Sequence, residues 1–334
     1  MLRLVANRVL QGVFVLLVVS VITFALLSAA GGDALSEVSG DPMVSAGAVA
    51  EMRRVYGLDR PAPVRYALWL ADFPRGRMGY SFHYHAPVST IIWPRLLRTL
   101  VLAALALALA WSVALALGVQ AARRAGSLWD RASEVLILVA SSTPRIVLAL
   151  AALAVAARTA LFPVGGGEGA GVSFARALPP AVVLAAPLVA LFLAQTRENL
   201  RDALAADFVR VARAKGLPER AVVLRHALRA ALNPLITIFG YSLGGVLSGS
   251  VIVETVLDWP GLGSLSVEAA RHRDVPLLMA VVMLTAAAVL AGNLAADILL
   301  RLNDPRLRDD DGDRARRRRS SSSATRDAAA TPTV

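Results

Sequence analysis

The sequence predicts an all-α membrane protein with six transmembrane helices. Hydrophobic residues make up 56% of the 334 residues and charged residues 18%, and the mean hydropathy is +0.59. A soluble domain has about a quarter of its residues charged. Six stretches reach the roughly 17–25 apolar residues that cross a bilayer. These stretches are Val9–Ala30, Thr99–Ala122, Val135–Ala157, Leu178–Ala194, Leu235–Val256 and Leu277–Leu300.

The first stretch is expected to be a retained anchor, because it exceeds the roughly 7–15 apolar residues of a secretory signal core. Residues 1–30 therefore form an N-terminal tail and first transmembrane helix. Residues 31–98 are expected to form an extracytoplasmic loop. Within that loop the sequence predicts two short helices, near Ala46–Val55 and Val64–Phe73, separated by turn-forming residues.

The distribution of basic residues predicts the orientation. The N-terminal tail, the 123–134 and 195–234 loops and the C-terminal tail hold 2, 3, 8 and 9 Lys or Arg, whereas the short loops 158–177 and 257–276 together hold 4. Basic residues concentrate on the cytoplasmic side of membrane proteins. The sequence therefore predicts a multi-pass protein of the plasma (cytoplasmic) membrane with both termini in the cytoplasm, and the net charge of +11 indicates topology rather than nucleic-acid binding.

The residues that would support catalysis or metal binding are scarce. The chain has no cysteine, which excludes disulfides and thiolate metal sites. The single lysine, Lys215, does not lie in a phosphate-binding loop, so the chain is not expected to hydrolyse ATP. We expect no catalytic residue, no metal ligand and no cofactor. The pair His83 and His85 leaves a transition-metal contact open as an alternative to a solvated loop.

The most informative segment is 207–240, which is basic and lies between two predicted spans. It predicts a helix, a sharp turn and a second helix at the membrane surface. Gly216 is expected to end the first helix, and Pro218 to begin the second. The apolar residues expected to share a face are Leu204, Phe208 and Val211 around the first helix and Leu224, Leu228, Leu232 and Leu235 in the second.

This segment resembles the cytoplasmic coupling loop, or EAA loop, of ABC-importer permeases, in the form carried by the peptide and nickel uptake family. The motif's Glu-Ala-Ala falls on Arg210, Val211 and Ala212, and its glycine on Gly216. The motif's Glu and final Pro are missing here, as they are in the peptide branch. The resemblance implies a loop over 197–233 that docks on a separate ATPase subunit. The implied coupling residues are Asp207, Arg210, Ala212, Ala214, Lys215, Gly216, Leu217, Glu219, Arg225 and His226.

Further similarities to this family extend along nearly the whole chain to Arg308. Each resembles a short family element, and their order and spacing also agree. The matching segments are Tyr56–Pro61 (GLDxP), Met78–Ser81 (LGxS), Glu254–Gly263 (ETVFxWPGLG), Arg273–Pro276 (RDYP) and Asp304–Arg308 (DPRxR).

The resemblance implies a fold like that of type I ABC importer permeases, with residues 99–300 forming the transmembrane permease domain. It implies a homologous second permease subunit, ABC ATPase subunits that bind ATP and Mg²⁺, an extracytoplasmic solute-binding protein and membrane lipid as partners. Peptide cargo is favoured over nickel chelates or other small solutes. A secondary transporter that works without an ATPase remains the alternative from another class. Residues 301–334 are expected to form a cytoplasmic tail, disordered from about Asp309.

A translocation path is hypothesised along five residues of the predicted spans. Arg145 is predicted near the middle of the third span, where a charged residue usually faces a cavity or a partner; snorkelling and pairing with another subunit remain alternatives. Repeated Gly-x-x-x-Gly spacings in the fifth span permit close helix packing, either within the subunit or against a second one. The hypothesised path residues are Arg145, Tyr241, Gly244, Ser248 and Glu254.

Overall fold

The computed structural model describes residues 2–29, 45–55, 57–159 and 173–303. The predicted disorder after Asp309, the match at Asp304–Arg308 and the middle of the 158–177 loop lie outside the described residues. The described part is almost entirely helical, with one two-stranded hairpin.

The helices cover the predicted spans, and several of them extend well beyond the predicted boundaries. Before the hairpin lie α1 (Leu2–Ala29), α2 (Ala46–Val55), α3 (Ala62–Asp72) and a 3₁₀ turn (Phe73–Arg75). The hairpin pairs β1 (Tyr80–Ser81) antiparallel with β2 (Ala86–Pro87). After it come α4 (Val88–Arg123), α5 (Leu128–Ser142), α6 (Arg145–Thr159), α7 (Phe174–Ala205), α8 (Asp207–Ala214), α9 (Glu219–Ala221), a π-helical turn (Val222–Ala227), α10 (Leu228–Val256), α11 (Leu262–Arg271) and α12 (Val275–Asn303).

The described residues contain five continuous helices that are long and apolar enough to cross a membrane, and six spans if the bent pair α5–α6 counts as one. The six-span prediction is therefore confirmed in number. The prediction of an unbroken third span is wrong, because α5 and α6 meet at an angle of 101°. Pro144 explains the break, since it lacks an N–H and disfavours helical geometry at Thr143, whose ψ is 119°. Arg145 consequently begins a helix rather than lying in the middle of one.

The core of the bundle forms where α4, α7 and α10 pack together. Buried Leu, Val and Ala residues fill it, together with the aromatic side chains of Phe192 and Trp259. Gly118 lets α4 approach α7 closely, because a Cβ at this position would lie 2.8 Å from a Thr196 methyl group. Helix α1 is peripheral and packs on α12, where an ion pair joins Arg8 and Asp297 at 2.6 Å.

Two smaller apolar clusters close the ends of the bundle. At the end we call outer, the hairpin and the start of α4 pack on α11 and α12 through residues such as Met78, Ile92 and Leu265. At the opposite end, called inner, the segment around α8 packs on the ends of α4 and α7. The predicted 197–233 loop is thus largely helical, because α7 continues to Ala205 and α10 begins at Leu228.

Candidate functional site

The inner end carries a helical hook formed by α8, a tight turn and α9. Helix α8 ends at Ala214, and Gly216 follows with φ of +74°, a left-handed conformation that glycine adopts without strain. Pro218 precedes α9 in an extended conformation with φ of −63°. The predicted helix, turn and helix, with Gly216 and Pro218 at the boundaries, is confirmed.

The hook is held against three long helices by a compact apolar cluster. Val209 and Ala212 on α8 are buried, as are Val222 and Ala227 after the turn. They pack together with Ala122, Leu200, Ala203 and Ala231, which belong to α4, α7 and α10. The hook is therefore fixed to the ends of three long helices.

The prediction that Leu204 shares a helical face with Phe208 and Val211 is wrong. Phe208 and Val211 are 46% and 53% exposed, whereas Val209 and Ala212 are buried. The reason is a break at Ala206, whose ψ of 152° ends α7 and starts α8 in a new direction. Leu204 lies before this break, so it does not share a helical face with residues after it.

The π-helical turn shifts the apolar face of the second helix. Each π turn contains about one residue more than an α turn, and the first three buried positions lie one residue before the predicted ones, whereas Leu235 belongs to both sets. Leu224 is exposed, and Leu228 and Leu232 are only partly buried. The buried residues of this stretch are Val223, Ala227, Ala231 and Leu235.

The outer side of the hook combines exposed apolar and basic side chains, and we call it the hook surface. Its large apolar members are Phe208, Val211, Leu217 and Leu224. Exposed basic residues surround them, namely Arg210, Lys215, Arg220 and Arg225. Apolar side chains grouped with arginines on a protein surface are typical of a protein interface.

Two ion pairs organise the hook surface. Arg213 donates two hydrogen bonds to Glu219, at 3.1 Å from Nε and 2.8 Å from Nη2, and this pair closes the turn across Gly216. The guanidinium lowers the pKa of the Glu219 carboxyl below its ordinary value. Arg210 and Asp207 form the second pair, one turn apart at 2.9 Å. The turn is therefore braced by side chains as well as by its backbone.

The predicted coupling residues lie together on this hook. Ala212 is buried beneath it and serves as an anchor. The other nine are exposed on the same end of the molecule, namely Asp207, Arg210, Ala214, Lys215, Gly216, Leu217, Glu219, Arg225 and His226.

Sequence reasoning missed an ionic anchor beside the hook, which we call the inner anchor. The buried Asp130 carboxylate lies 2.7 Å from Arg197 Nε and 2.6 Å from Arg201 Nη2, and its other oxygen accepts the N–H of Gly126 at 2.9 Å. Arg197 also pairs with Glu134. The anchor ties the start of α5 to the part of α7 that leads into the hook. The Ser127-x-x-Asp130 spacing signals a helix start, but nothing local signals arginines about 70 residues away.

The outer end contains a second buried carboxylate, Glu254, which we call the outer anchor. Its Oε1 accepts the Thr99 hydroxyl at 2.8 Å, and its Oε2 accepts the Ser264 N–H at 3.0 Å. Thr99 in turn accepts the Leu262 N–H at 2.8 Å. Glu254 and Thr99 thus satisfy free N–H groups in the first turn of α11, where negative charge is stabilised by the helix dipole.

Close contacts beside the outer anchor explain why the Trp-Pro-Gly-Leu-Gly segment has glycine at two positions. A Cβ on Gly261 would lie 2.5 Å from the Glu254 carboxyl carbon, and one on Gly263 would lie 2.7 Å from the Val251 backbone. The segment therefore needs glycine at both positions to bring α11 onto α10.

The hairpin is joined to α12 by a third buried carboxylate, Asp274. It accepts the Ser81 hydroxyl at 2.6 Å and the Leu277 N–H at 3.2 Å. His83 stacks on His272, with ring centroids 3.7 Å apart. No group of three or more His, Cys, Asp or Glu residues in the described chain could hold a metal ion.

The membrane region holds a cavity of about 400 Å³ between α10, α11 and α12. Two of the hypothesised path residues, Gly244 and Ser248, line it. The hydroxyl groups of the wall belong to Thr99, Ser248, Ser250, Ser266 and Thr285, and the remaining wall is apolar or glycine. A wall of small, uncharged groups offers hydrogen bonds without selecting one charge.

The other hypothesised path residues do not line this cavity. Arg145 packs on α10 at Gly249, where an added Cβ would lie 2.3 Å from its guanidinium. Tyr241 is 76% exposed and borders a separate small cavity near Arg8. Glu254 is fully buried in the outer anchor. The geometry thus groups Gly244 with Ser248 and places the other three elsewhere.

The glycines of α10 make contacts within the subunit. A Cβ on Gly240 would lie 2.8 Å from Ala296 of α12, and Gly249 accommodates Arg145. These contacts favour intrasubunit packing at both positions.

Residues Gly240–Gly244 also match the Gly-x-Ser-x-Gly pattern of hydrolase nucleophiles, which requires a strand-to-helix turn. Here the pattern lies inside a helix and Ser242 donates to the Ile238 carbonyl, so it is not such a site.

Comparisons with known proteins agree with this geometry. The family model of binding-protein-dependent transport system inner membrane components matches residues 114–309, and the N-terminal model of such membrane components matches residues 1–103. The chain is similar to the oligopeptide transport system permease protein AppB of Bacillus subtilis, with 35% identity over 91% of this chain and 98% of that protein. It is also similar to a putative peptide permease of Brucella suis, with 33% identity over 92% of this chain and 99% of that protein. A third similar protein is the glutathione transport system permease protein GsiC of Salmonella typhi, with 32% identity over 92% of this chain and 99% of that protein.

Proposed function

This chain belongs to the family of binding-protein-dependent transport system inner membrane components, and from that premise we propose that it is the permease subunit of an ABC importer that takes up peptides. Family membership accounts for its apolar helices, and it makes the chain a membrane component rather than an enzyme. The names of its relatives, which specify oligopeptide, peptide and glutathione transport, favour peptide cargo over nickel chelates.

The hook surface is the coupling element of this proposal, and its geometry is the observation that carries it. Nine of the ten expected residues are exposed on a hook that is fixed to the ends of α4, α7 and α10. Exposed Phe208 and Val211 provide apolar contact area for a cleft in an ATPase subunit. The surrounding arginines would select acidic groups at its rim.

ATP and Mg²⁺ would bind to those partner subunits, and this chain would bind no cofactor. Movement of the ATPase subunits would displace the hook, and the spans would move between inward and outward openings. Work is transmitted only if the hook makes different contacts in the two states. The hook surface would face the cytoplasm together with both termini, and the outer end would receive cargo from a solute-binding protein.

The pathway would run along the cavity that Gly244 and Ser248 line and would be completed by a homologous second permease subunit. Peptides vary in side-chain charge, and a wall of hydroxyl, glycine and apolar groups accommodates this variety. Arg145, Tyr241 and Glu254 remain path hypotheses for other stages of transport, when the helices are arranged differently.

Cross-linking tests the coupling surface directly, because the natural chain has no cysteine. Phe208→Cys is expected to cross-link to an ATPase subunit in the purified complex, and the yield is expected to change when ATP is added. Val135→Cys is the matched control, since Val135 is also exposed but lies on α5 away from the hook. Equal cross-linking at both positions would contradict the assignment.

Transport in vesicles separates this function from an ATP-independent transporter. Vesicles with both permease subunits, the ATPases and the receptor are expected to accumulate a radiolabelled peptide only with ATP. Accumulation by this chain alone, driven by an ion gradient, would support a secondary transporter instead.

A further inference from the structure

A cavity of about 360 Å³ lies at the outer end, between α1, α3 and the start of α12. One wall is apolar and is formed by Phe24 and Leu27 of α1, Leu68 of α3 and Met279 of α12. The rest of the lining is mixed and contains three arginines, Arg60, Arg65 and Arg77. The cavity is therefore amphipathic, with an apolar side and a cationic side.

The depth of α3 places this cavity at the membrane interface. The Tyr66 hydroxyl lies 2.7 Å from the Ser20 hydroxyl, and the Tyr66 and Phe24 rings are 5.3 Å apart. Phe24 precedes the end of α1 by five residues, or about 7.5 Å along the helix. Helix α3 thus lies at the level of lipid headgroups and upper acyl chains.

The exposed side of α3 fits that position. Val64 and Leu68 are both exposed apolar residues on this helix, which buries no residue completely. A short helix that exposes large apolar side chains at this depth contacts lipid rather than water. Lipid acyl chains therefore have direct access to the apolar side of the cavity.

The charge at the cavity favours an anion. Among the described residues of the lining, Asp72 is the only acidic one, and it pairs with Arg75 at 3.7 Å. Within the described residues no carboxylate pairs with Arg60, Arg65 or Arg77. The Arg65 guanidinium carbon lies 6.0 Å from the centre of the Phe24 ring, which holds this charge beside the apolar wall.

The cavity wall also contains an unused hydrogen-bond donor. The Trp69 indole N–H is buried and has no partner among the described residues, while its ring packs against Phe73 with centroids 5.0 Å apart. Buried indole N–H groups usually find an acceptor.

We propose that this cavity binds an anionic phospholipid from the leaflet remote from the hook surface. The phosphate would lie among the three arginines, and an acyl chain would follow Phe24, Leu27 and Leu68. Arginine forks match phosphate oxygens well. The proposal depends on insertion of α1 and α12 in a membrane and not on the identity of the cargo.

Lipid retention tests the site. The complete transporter would be reconstituted in nanodiscs of phosphatidylethanolamine and phosphatidylglycerol, extracted in mild detergent, and its bound lipids counted by mass spectrometry. The natural protein is expected to retain phosphatidylglycerol preferentially. Combined Arg60→Gln, Arg65→Gln and Arg77→Gln is expected to lower that preference about fivefold or more.

The matched control removes three exposed arginines that do not line the cavity, in Arg54→Gln, Arg158→Gln and Arg271→Gln. It is expected to retain the preference. If the triple variant elutes as an aggregate, the single change Arg60→Gln at an exposed position provides the comparison.

Four results would overturn the proposal. Unchanged lipid preference in the cavity variants would show that the arginines do not bind lipid, and equal loss in the control would show a general charge effect. Displacement of the lipid by millimolar inorganic phosphate would identify a free-anion site, and displacement by the solute-binding protein would identify a protein-docking site.

Discussion

The inner and outer anchors both bury a carboxylate, but they neutralise it in different ways. Asp130 is paired with two arginines, whereas the recorded partners of Glu254 are hydroxyl and backbone N–H groups. The inner anchor lies beside the hook, near water. The outer anchor lies between packed helices.

The difference in partners indicates which property of each carboxylate stabilises its end of the molecule. Ion pairs near water act over a range of distances, so the inner anchor can hold α7 to α5 while the hook is displaced. Hydrogen bonds to fixed N–H groups depend strongly on geometry, so the outer anchor fixes α11 at one position on α10. We infer that charge is essential at the inner anchor and that shape and hydrogen bonding are essential at the outer one.

The largest effect is expected from Glu254→Ala. This change leaves the Ser264 N–H and the Thr99 hydroxyl without their acceptor and opens a cavity, at a cost of about 3 kcal/mol or more. The control Glu254→Gln keeps an oxygen for Ser264 and is expected to retain most of the stability. Thermal unfolding of the purified chain in detergent measures both. If Gln is as harmful as Ala, charge matters at the outer anchor too and the comparison fails.

Asp130→Asn is expected to have the next largest effect. The substitution keeps the size of the side chain but leaves Arg197 and Arg201 side by side without the central charge, which costs about 2 kcal/mol. Peptide uptake per ATP hydrolysed is expected to fall as well, because the hook loses its fixed base. Glu134→Gln is the control, since Glu134 is 57% exposed and exposed pairs contribute about 0–1 kcal/mol. If Asp130→Asn takes up as much peptide per ATP hydrolysed as the natural protein, the charge at the inner anchor is not essential.

Substitutions of Gly216 test whether the hook must keep the backbone conformation of its turn. A Cβ at this position meets no atom within 4 Å, so only the φ of +74° opposes substitution. Gly216→Val is expected to cost about 1–2 kcal/mol locally and to reduce uptake more than ATP hydrolysis. Gly216→Asn should behave nearly as the natural chain, because Asn tolerates left-handed geometry. Equal uptake by the two variants would mean that turn geometry is not used in coupling.

The smallest effect is expected from Arg213→Gln, which removes an exposed ion pair. We expect no measurable change in unfolding temperature. The pKa of Glu219 is lowered in the folded state, so any contribution is present above the ordinary carboxyl pKa and is lost only as the pH falls through the folded value. Stability between about pH 6 and 8 is therefore expected to be the same in both proteins. A difference there would assign the pair a larger role than its exposure suggests.

Sequence patterns predicted the elements well where one residue type dictates local geometry. Apolar length identified the spans, and Gly216 and Pro218 set the turn of the hook. The pattern failed where the helix changed direction or period, at Thr143–Pro144, at Ala206 and in the π-helical turn. Helical periodicity assumes an unbroken α-helix, so one break or one extra residue per turn changes which side chains are buried.

The sequence by itself determined that the chain crosses a membrane and carries a basic hook between two spans, because bilayer thickness and turn geometry act on neighbouring residues. Only the tertiary structure decided the anchors. Asp130 and Arg201 lie 71 residues apart, and Thr99 and Glu254 lie 155 apart. Helix packing determines these partners, because a buried carboxylate requires hydrogen-bond donors and the packing decides which donors lie next to it. The same packing placed Gly244 and Ser248 on one cavity and assembled the arginines of the proposed lipid site.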